Sequence, residues 1–209
     1  MDIRVKICGI RTVDALEAAA QADWIGLVFF ARSPRHVTPV EAAALLHGRR
    51  TPRRVGLFVA PEDAEVVETL RLVELDVLQV YATETRVKQL RALTGLEVWQ
   101  AVGVGNRNDL PERSVADALV VESRPLPGSN RPGGNAHAMD WDLTRGWAAP
   151  VPWMLAGGLA PDNVGEAIAR SGTRAVDVSS GVESRLGVKD PALVRDFLSS
   201  VRTASRLAG

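Results

Sequence analysis

The sequence predicts an α/β fold in which parallel strands and helices alternate to close a single (β/α)8 barrel. Three observations lead there. Short Val/Ile/Leu-rich runs alternate with segments of helical period along the chain. The runs are nearly continuous in apolar residues, as parallel strands covered on both faces require. Eight strand-then-helix pairs fit within 209 residues, at the small end of the range for such a barrel. An open doubly wound sheet is the alternative. It more often stops at roughly five or six strands, and no GxGxxG follows the first strand here.

The first unit is IRVKIC followed by TVDALEAAAQA. Thr12 can cap this helix, with Val13, Leu16 and Ala20 on one face. WIGLVFF precedes PVEAAALLHG, and RRVGLFV precedes PEDAEVVETLRLV, where Pro61 suits a first helical turn. DVLQV leads to TETRVKQLRAL, and LEVWQAV to a short helix expected near Asn108 to Arg113. DALVV is followed by a Gly/Pro-rich stretch and then DWDLTRGW. VPWML precedes APDNVGEAIARSG. RAVDV precedes KDPALVRDFLSSVRTA, where Val194, Phe197, Leu198 and Val201 follow helical spacing. The regular spacing calls for no linker, and 46% apolar content suits one sizeable core, so one domain over residues 1–209 is expected.

Composition excludes several classes of function. Twenty-five basic and 25 acidic residues give zero formal charge, which favours neither nucleic acid nor an anionic membrane as partner. No apolar run approaches the roughly 18 residues of a membrane span. MDIRVKI lacks the basic-then-apolar layout of a secretory signal. The single cysteine cannot form an internal disulfide, so a reducing cytoplasm is the expected location. A monomer or a homodimer acting on a small molecule is expected.

A barrel carries its chemistry at the C-terminal ends of its strands. Those ends hold Cys8, then Arg32, Arg35 and His36 in ARSPRHV, then Gln79 and Tyr81, then Glu122, AGGLAPDNV and DVSSGVES. A thiolate can take a proton from carbon if its pKa is lowered. A carboxylic acid with a raised pKa can donate to oxygen. Cys8 and Glu122 thus form a candidate base and acid. A lone cysteine beside a strand is also an ordinary small core residue, and a glutamate at a strand end is ordinarily solvated or ion-paired.

Gly157 and Gly158 let backbone N–H groups approach a ligand, and Pro161 and Asp162 are expected to open a helix whose N-terminus favours an anion. Ser179, Ser180 and Gly181 repeat the pattern after the eighth strand. Loops after strands seven and eight commonly cradle phosphate in this fold. Arg35 offers a planar charge for a carboxylate, or is a plain surface arginine. Asp177 could orient a substrate hydroxyl or amine, or tie the strand end to neighbouring backbone. His36, His47 and His137 have no metal-ligand spacing, so no metal is expected. The 122–141 stretch is either a surface loop or an active-site loop.

VKICGI, SPRHV, AGGLAPDNV and VDVSSGVESRLGVKD together closely resemble the phosphoribosylanthranilate isomerase family of tryptophan biosynthesis, from Lys6 to the last helix. The resemblance implies a (β/α)8 (TIM) barrel that needs no cofactor or metal. It implies an Amadori rearrangement of N-(5-phosphoribosyl)anthranilate to 1-(2-carboxyphenylamino)-1-deoxyribulose 5-phosphate. By position it makes Cys8 the general base and Arg35 the holder of the anthranilate carboxylate. Gly157, Gly158, Ser180 and Gly181 become the phosphate ligands.

The chain departs from the family pattern in three places. The family's acid after strand six is usually Asp, where this chain has Glu122. One methylene displaces the carboxyl by ~1.5 Å, so an aspartate at this position is expected to keep or raise activity. QLHG is replaced by QVYA, with Tyr81 and Ala82, and Ala136 stands where the family has a glycine. Two alternative functions follow: an enzyme for another phosphosugar, or a phosphosugar-binding relative with impaired turnover.

Overall fold

In the computed structural model, which describes residues 2–124 and 139–207, eight strands pair in sequence order into a closed parallel barrel. They are β1 (Arg4–Cys8), β2 (Trp24–Val28), β3 (Arg53–Val59), β4 (Val77–Tyr81), β5 (Glu97–Val104), β6 (Ala118–Ser123), β7 (Trp153–Ala156) and β8 (Ala175–Val178). β1 closes on β8 with Lys6 opposite Asp177. β2 and β8 are buried at every position, because one face meets the barrel interior and the other the helices.

Among the described residues six α-helices form the outer layer: α1 (Val13–Ala18), α2 (Pro39–Leu46), α3 (Asp63–Leu72), α4 (Glu84–Thr94), α5 (Val164–Ser171) and α6 (Pro191–Leu207). Thr12, Thr38 and Thr83 cap the first, second and fourth through their hydroxyls. Among the described residues, the expectation of eight helices is not met in two units. After β5 there is only a 3₁₀ turn at Arg107–Asp109, and after β6 another at Trp141–Thr144. In the first, the Asp109 carboxyl accepts from the backbone N–H groups of Gly105 and Asn106, which favours a tight turn over a helix. Pro111 follows at once. In the second, Asp140 caps the turn, and Gly146 with positive φ, Pro150 and Pro152 stop it.

Two helix starts also shift. α3 begins at Asp63, so Pro61 lies outside it. Pro161 and Asp162 occupy a turn, and α5 begins at Val164. Asn163 shapes that turn by accepting from the Ala160 N–H and donating to the Gly158 carbonyl. After β8 the chain forms a small hairpin, β9 (Glu183–Arg185) with β10 (Val188–Lys189), which the sequence periodicity does not announce.

The lower interior is a tight layer that includes Trp24, Val55, Val77, Trp99, Ala118, Met154 and Ala175. Trp24 and Trp99 meet edge to face at 5.2 Å, and the Arg4 guanidinium sits 4.9 Å from the Trp24 ring. Such packing makes the interior a core, and leaves only its upper end open for chemistry. No helix among the described residues is long and apolar enough to cross a membrane.

On α6 the residues Val194, Phe197, Leu198 and Val201 are all buried, as their spacing predicts. Phe197 is fully buried. Replacing Phe197 with Ala is expected to cost about 3–5 kcal/mol through lost transfer energy and a residual cavity. Urea unfolding curves of the two proteins would measure it, and a loss below about 1 kcal/mol would deny this face its role in the outer packing.

Candidate active site

The upper end of the barrel holds a cavity of about 760 Å³, its open mouth included. Period-2 alternation turns Cys8, Tyr81, Glu122 and Asp177 inward from β1, β4, β6 and β8. Arg35, Gly157, Gly158 and Ser180 reach the same cavity from the loops after β2, β7 and β8. The residues expected to act on or bind a substrate therefore converge, with one exception, whereas Arg32, His36, Pro161 and Asp162 lie away from this cavity. Gly181 does not line the cavity. A Cβ on it would stand 1.8 Å from the Leu159 carbonyl oxygen. Its service is to let the loop after β8 pack directly against the loop after β7.

Cys8 is buried, and β2 presents Gly26 opposite it. A Cβ on Gly26 would lie 2.9 Å from the Cys8 sulfur and 3.2 Å from the Lys6 ammonium. Gly26 thus leaves room for the thiol and the lysine side by side. Lys6 is fully buried and donates to Asp177 Oδ1 at 3.0 Å. Burial opposes the Lys6 charge, but Asp177 and Cys8 outweigh it and raise the ammonium. Burial lifts the Asp177 carboxyl against the pull of Lys6. Burial also pushes the Cys8 thiol up, and the nearby Lys6 and Lys189 cations only partly offset this. The direction is thus opposite to the lowered thiol pKa that the base role calls for. Asp177 serves as the partner of Lys6 rather than as a tie to neighbouring backbone.

Arg35 is 4% exposed, so the plain-surface alternative does not hold. Its Nε and Nη2 donate to the Glu183 carboxylate at 2.7 and 3.0 Å. Lys189 Nζ donates to the same carboxylate at 2.6 Å, and the Gly187 N–H at 3.1 Å. Burial pushes Glu183 up, but Arg35 and Lys189 overcome it and hold the carboxyl below its usual range. Two cations share one carboxylate, so this side of the cavity carries surplus positive charge. Gly9 makes room for the Arg35 stem: its φ is +83°, and a Cβ there would lie 2.9 Å from the Arg35 Cδ. Lys189 also reaches Ser179 Oγ at 3.4 Å, and Ser179 Oγ donates to the Cys8 carbonyl at 3.1 Å.

On the opposite side, the Tyr81 hydroxyl donates to Glu122 Oε1 at 2.6 Å. Burial first, and then the Glu122 charge, push the Tyr81 phenol well above its ordinary range, so it stays protonated. Ala82 contributes its carbonyl, which accepts from Gln100 Nε2 at 2.9 Å. Gly157 and Gly158 have φ of +86° and +67°, a conformation that favours glycine. Ala136 and most of the 122–141 stretch lie outside the described residues.

Sequence reasoning overlooked Lys6, Glu183 and Lys189. For Lys6 a signal existed: the alternation that turns Cys8 inward also turns Lys6 inward, two positions earlier. Glu183 and Lys189 carry no such signal, since the hairpin alone brings them to Arg35.

The raised Cys8 pKa means that its thiolate population grows only as pH climbs past the ordinary thiol range. Cys8 is the chain's single cysteine, so iodoacetamide labelling reports on it alone. Labelling at neutral pH is expected to be slower than for a free thiol, and to accelerate at alkaline pH. Labelling as fast as a free thiol at pH 7 would contradict this. Gly181→Ala is expected to destabilise by about 1–3 kcal/mol through overpacking. Gly165→Ala, whose Cβ would meet nothing nearer than 4.0 Å, is expected to stabilise α5 by about 0.5–1 kcal/mol. Thermal melts of both variants would check the contrast, and equal effects would refute it.

Comparison with known proteins gives one consistent result. The family model described as N-(5'-phosphoribosyl)anthranilate (PRA) isomerase matches residues 5–200. The N-(5'-phosphoribosyl)anthranilate isomerase of Acidiphilium cryptum is 50% identical, covering 96% of this chain and 99% of that protein. The Granulibacter bethesdensis protein of the same name is 46% identical, covering 98% and 100%. A crystal structure of phosphoribosyl anthranilate isomerase in complex with reduced 1-(o-carboxyphenylamino)-1-deoxyribulose 5-phosphate superposes with a TM-score of 0.78, at 30% identity and covering 96% and 99%. A match that runs almost from end to end, at this identity and on this barrel, means that the chain belongs to the N-(5'-phosphoribosyl)anthranilate isomerase family.

Proposed function

We propose that this protein converts N-(5-phosphoribosyl)anthranilate into 1-(2-carboxyphenylamino)-1-deoxyribulose 5-phosphate, an aldose–ketose isomerisation of tryptophan biosynthesis. One observation carries the reading for this chain. A thiol and a carboxyl line a single cavity between a cationic wall and a pair of glycine-rich loops. The substrate has the matching layout, with a carboxylate at one end, a phosphate at the other and the reacting carbons between.

Arg35, held by Glu183 and backed by Lys189, grips the anthranilate carboxylate. The backbone of Gly157, Gly158 and Ser180 cradles the phosphate, and Gly181 allows their two loops to pack together. Glu122 acts as the acid. It protonates the furanose ring oxygen as the C1–O bond breaks, which leaves the nitrogen and C1 as a protonated imine. Cys8, as thiolate, takes the C2 proton, and the electron pair of that C–H bond forms an enolamine. The enolamine then gains a proton at C1 and loses one from the C2 hydroxyl, which yields the ketose. The Lys6 ammonium beside Cys8 stabilises the thiolate, while Asp177 keeps Lys6 in place. The protein acts as one domain over residues 1–209, in the cytoplasm, as a monomer or homodimer. Its balanced charge and lone thiol support that reading.

Cys8→Ala is expected to lower kcat by roughly a hundredfold to ten-thousandfold, the usual worth of a positioned base, while a reduced product analogue still binds. Arg35→Ala is expected to raise KM more than it lowers kcat, since the arginine anchors substrate in both ground and transition states. Steady-state kinetics and calorimetry measure both. Failure of the parent gene to restore growth of a tryptophan auxotroph lacking this isomerase would overturn the activity itself.

A further inference from the structure

Glu122 and Tyr81 stand on strands that are not neighbours. β5 lies between β4 and β6. Its inward positions above Trp99 are Ala101 and Gly103, and Gly103 is the register partner of Glu122. β5 places no long side chain at these inward positions, between Tyr81 and Glu122. Tyr81 reaches across, and its hydroxyl meets Glu122 Oε1 at 2.6 Å. Both side chains line the cavity, and Glu122 is 5% exposed.

We propose that Tyr81 is a positioning residue of the acid: its hydroxyl holds the Glu122 carboxyl by Oε1, across β5, in the pose from which Glu122 delivers its proton. The inference rests on the reading of Glu122 as the acid. Its physical basis is that a glutamate has one more rotatable bond than an aspartate, so its longer arm must be held for the carboxyl to keep one position. The phenol is suited to that task because burial keeps it protonated and therefore a donor. The departures at 81 and 122 then form a single unit. The expectation for an aspartate at 122 is reversed, because its carboxyl withdraws by ~1.5 Å and loses the hydroxyl.

The test is a cycle of Tyr81→Phe, Glu122→Gln and the double variant, with kcat, KM and affinity for the reduced product analogue measured for each. Tyr81→Phe is expected to lower kcat roughly tenfold or more, the effect of a misplaced reacting group, with KM and analogue affinity nearly unchanged. The double variant is expected to be no slower than Glu122→Gln alone. An unchanged kcat in Tyr81→Phe, with Glu122→Gln slow, would overturn the positioning role and leave the acid role standing. Losses that multiply in the double variant would also overturn it, since Tyr81 would then act independently of Glu122. Full activity in Glu122→Gln would instead remove the acid role beneath it. Should Tyr81→Phe fail to fold, Glu122→Asp supplies the same information with Tyr81 in place. It is expected to lose kcat by a similar factor, and a rate equal to the parent's would refute the proposal.

Discussion

The barrel closes at the seam between β1 and β8, and in that seam the Lys6 ammonium meets the Asp177 carboxylate. The two residues are register partners, so the ion pair forms only when the first and last strands are correctly aligned. A buried pair of this kind adds little net stability, because desolvating both charges offsets their attraction. Breaking one half is another matter, since it strands a charge in the core at a cost of ~3–5 kcal/mol. The pair therefore penalises any slipped closure of the barrel. Asp177 also lines the cavity and Lys6 lies beside the thiol, which couples the act of closing the fold to the electrostatics of the site.

From that seam the charges spread in an ordered way. Lys6 and Lys189 face Cys8, Lys189 and Arg35 share Glu183, and Ser179 links Lys189 to the Cys8 backbone. The cationic half of the cavity is thus built from β1, the loop after β2, and the segment that follows β8. The other half belongs to β4 and β6, where Tyr81 and Glu122 meet. Small residues at selected points make this density of long side chains possible. Gly26 gives space to Cys8 and Lys6, Gly9 to the Arg35 stem, and Gly181 to the contact between two loops.

The strands were legible because a strand buried on both faces leaves an almost unbroken apolar run. The α6 face was legible because its apolar residues repeat at helical spacing. Cys8, Arg35, Glu122 and the glycines after β7 were legible chiefly through the family resemblance, and only secondarily through their places near strand ends. The two 3₁₀ turns, at Arg107–Asp109 and Trp141–Thr144, were not. Local hydrogen bonding by Asp109 and Asp140 competes with helix formation, and the compositional signal of such turns is weak. Pro161 misled for a similar reason, as its preference for a first helical turn yielded to the turn that Asn163 organises.

The sequence by itself determined the order and number of the barrel strands and most of the polar side chains gathered at one end of the barrel. Those follow from local patterns of apolar spacing and from residue chemistry. Only the tertiary structure decided who pairs with whom: Lys6 with Asp177 over 171 residues, Arg35 with Glu183 over 148, Tyr81 with Glu122 over 41. Such pairings depend on strand register and on which interior neighbours are small. No local pattern encodes them, because each is set by closing the whole ring.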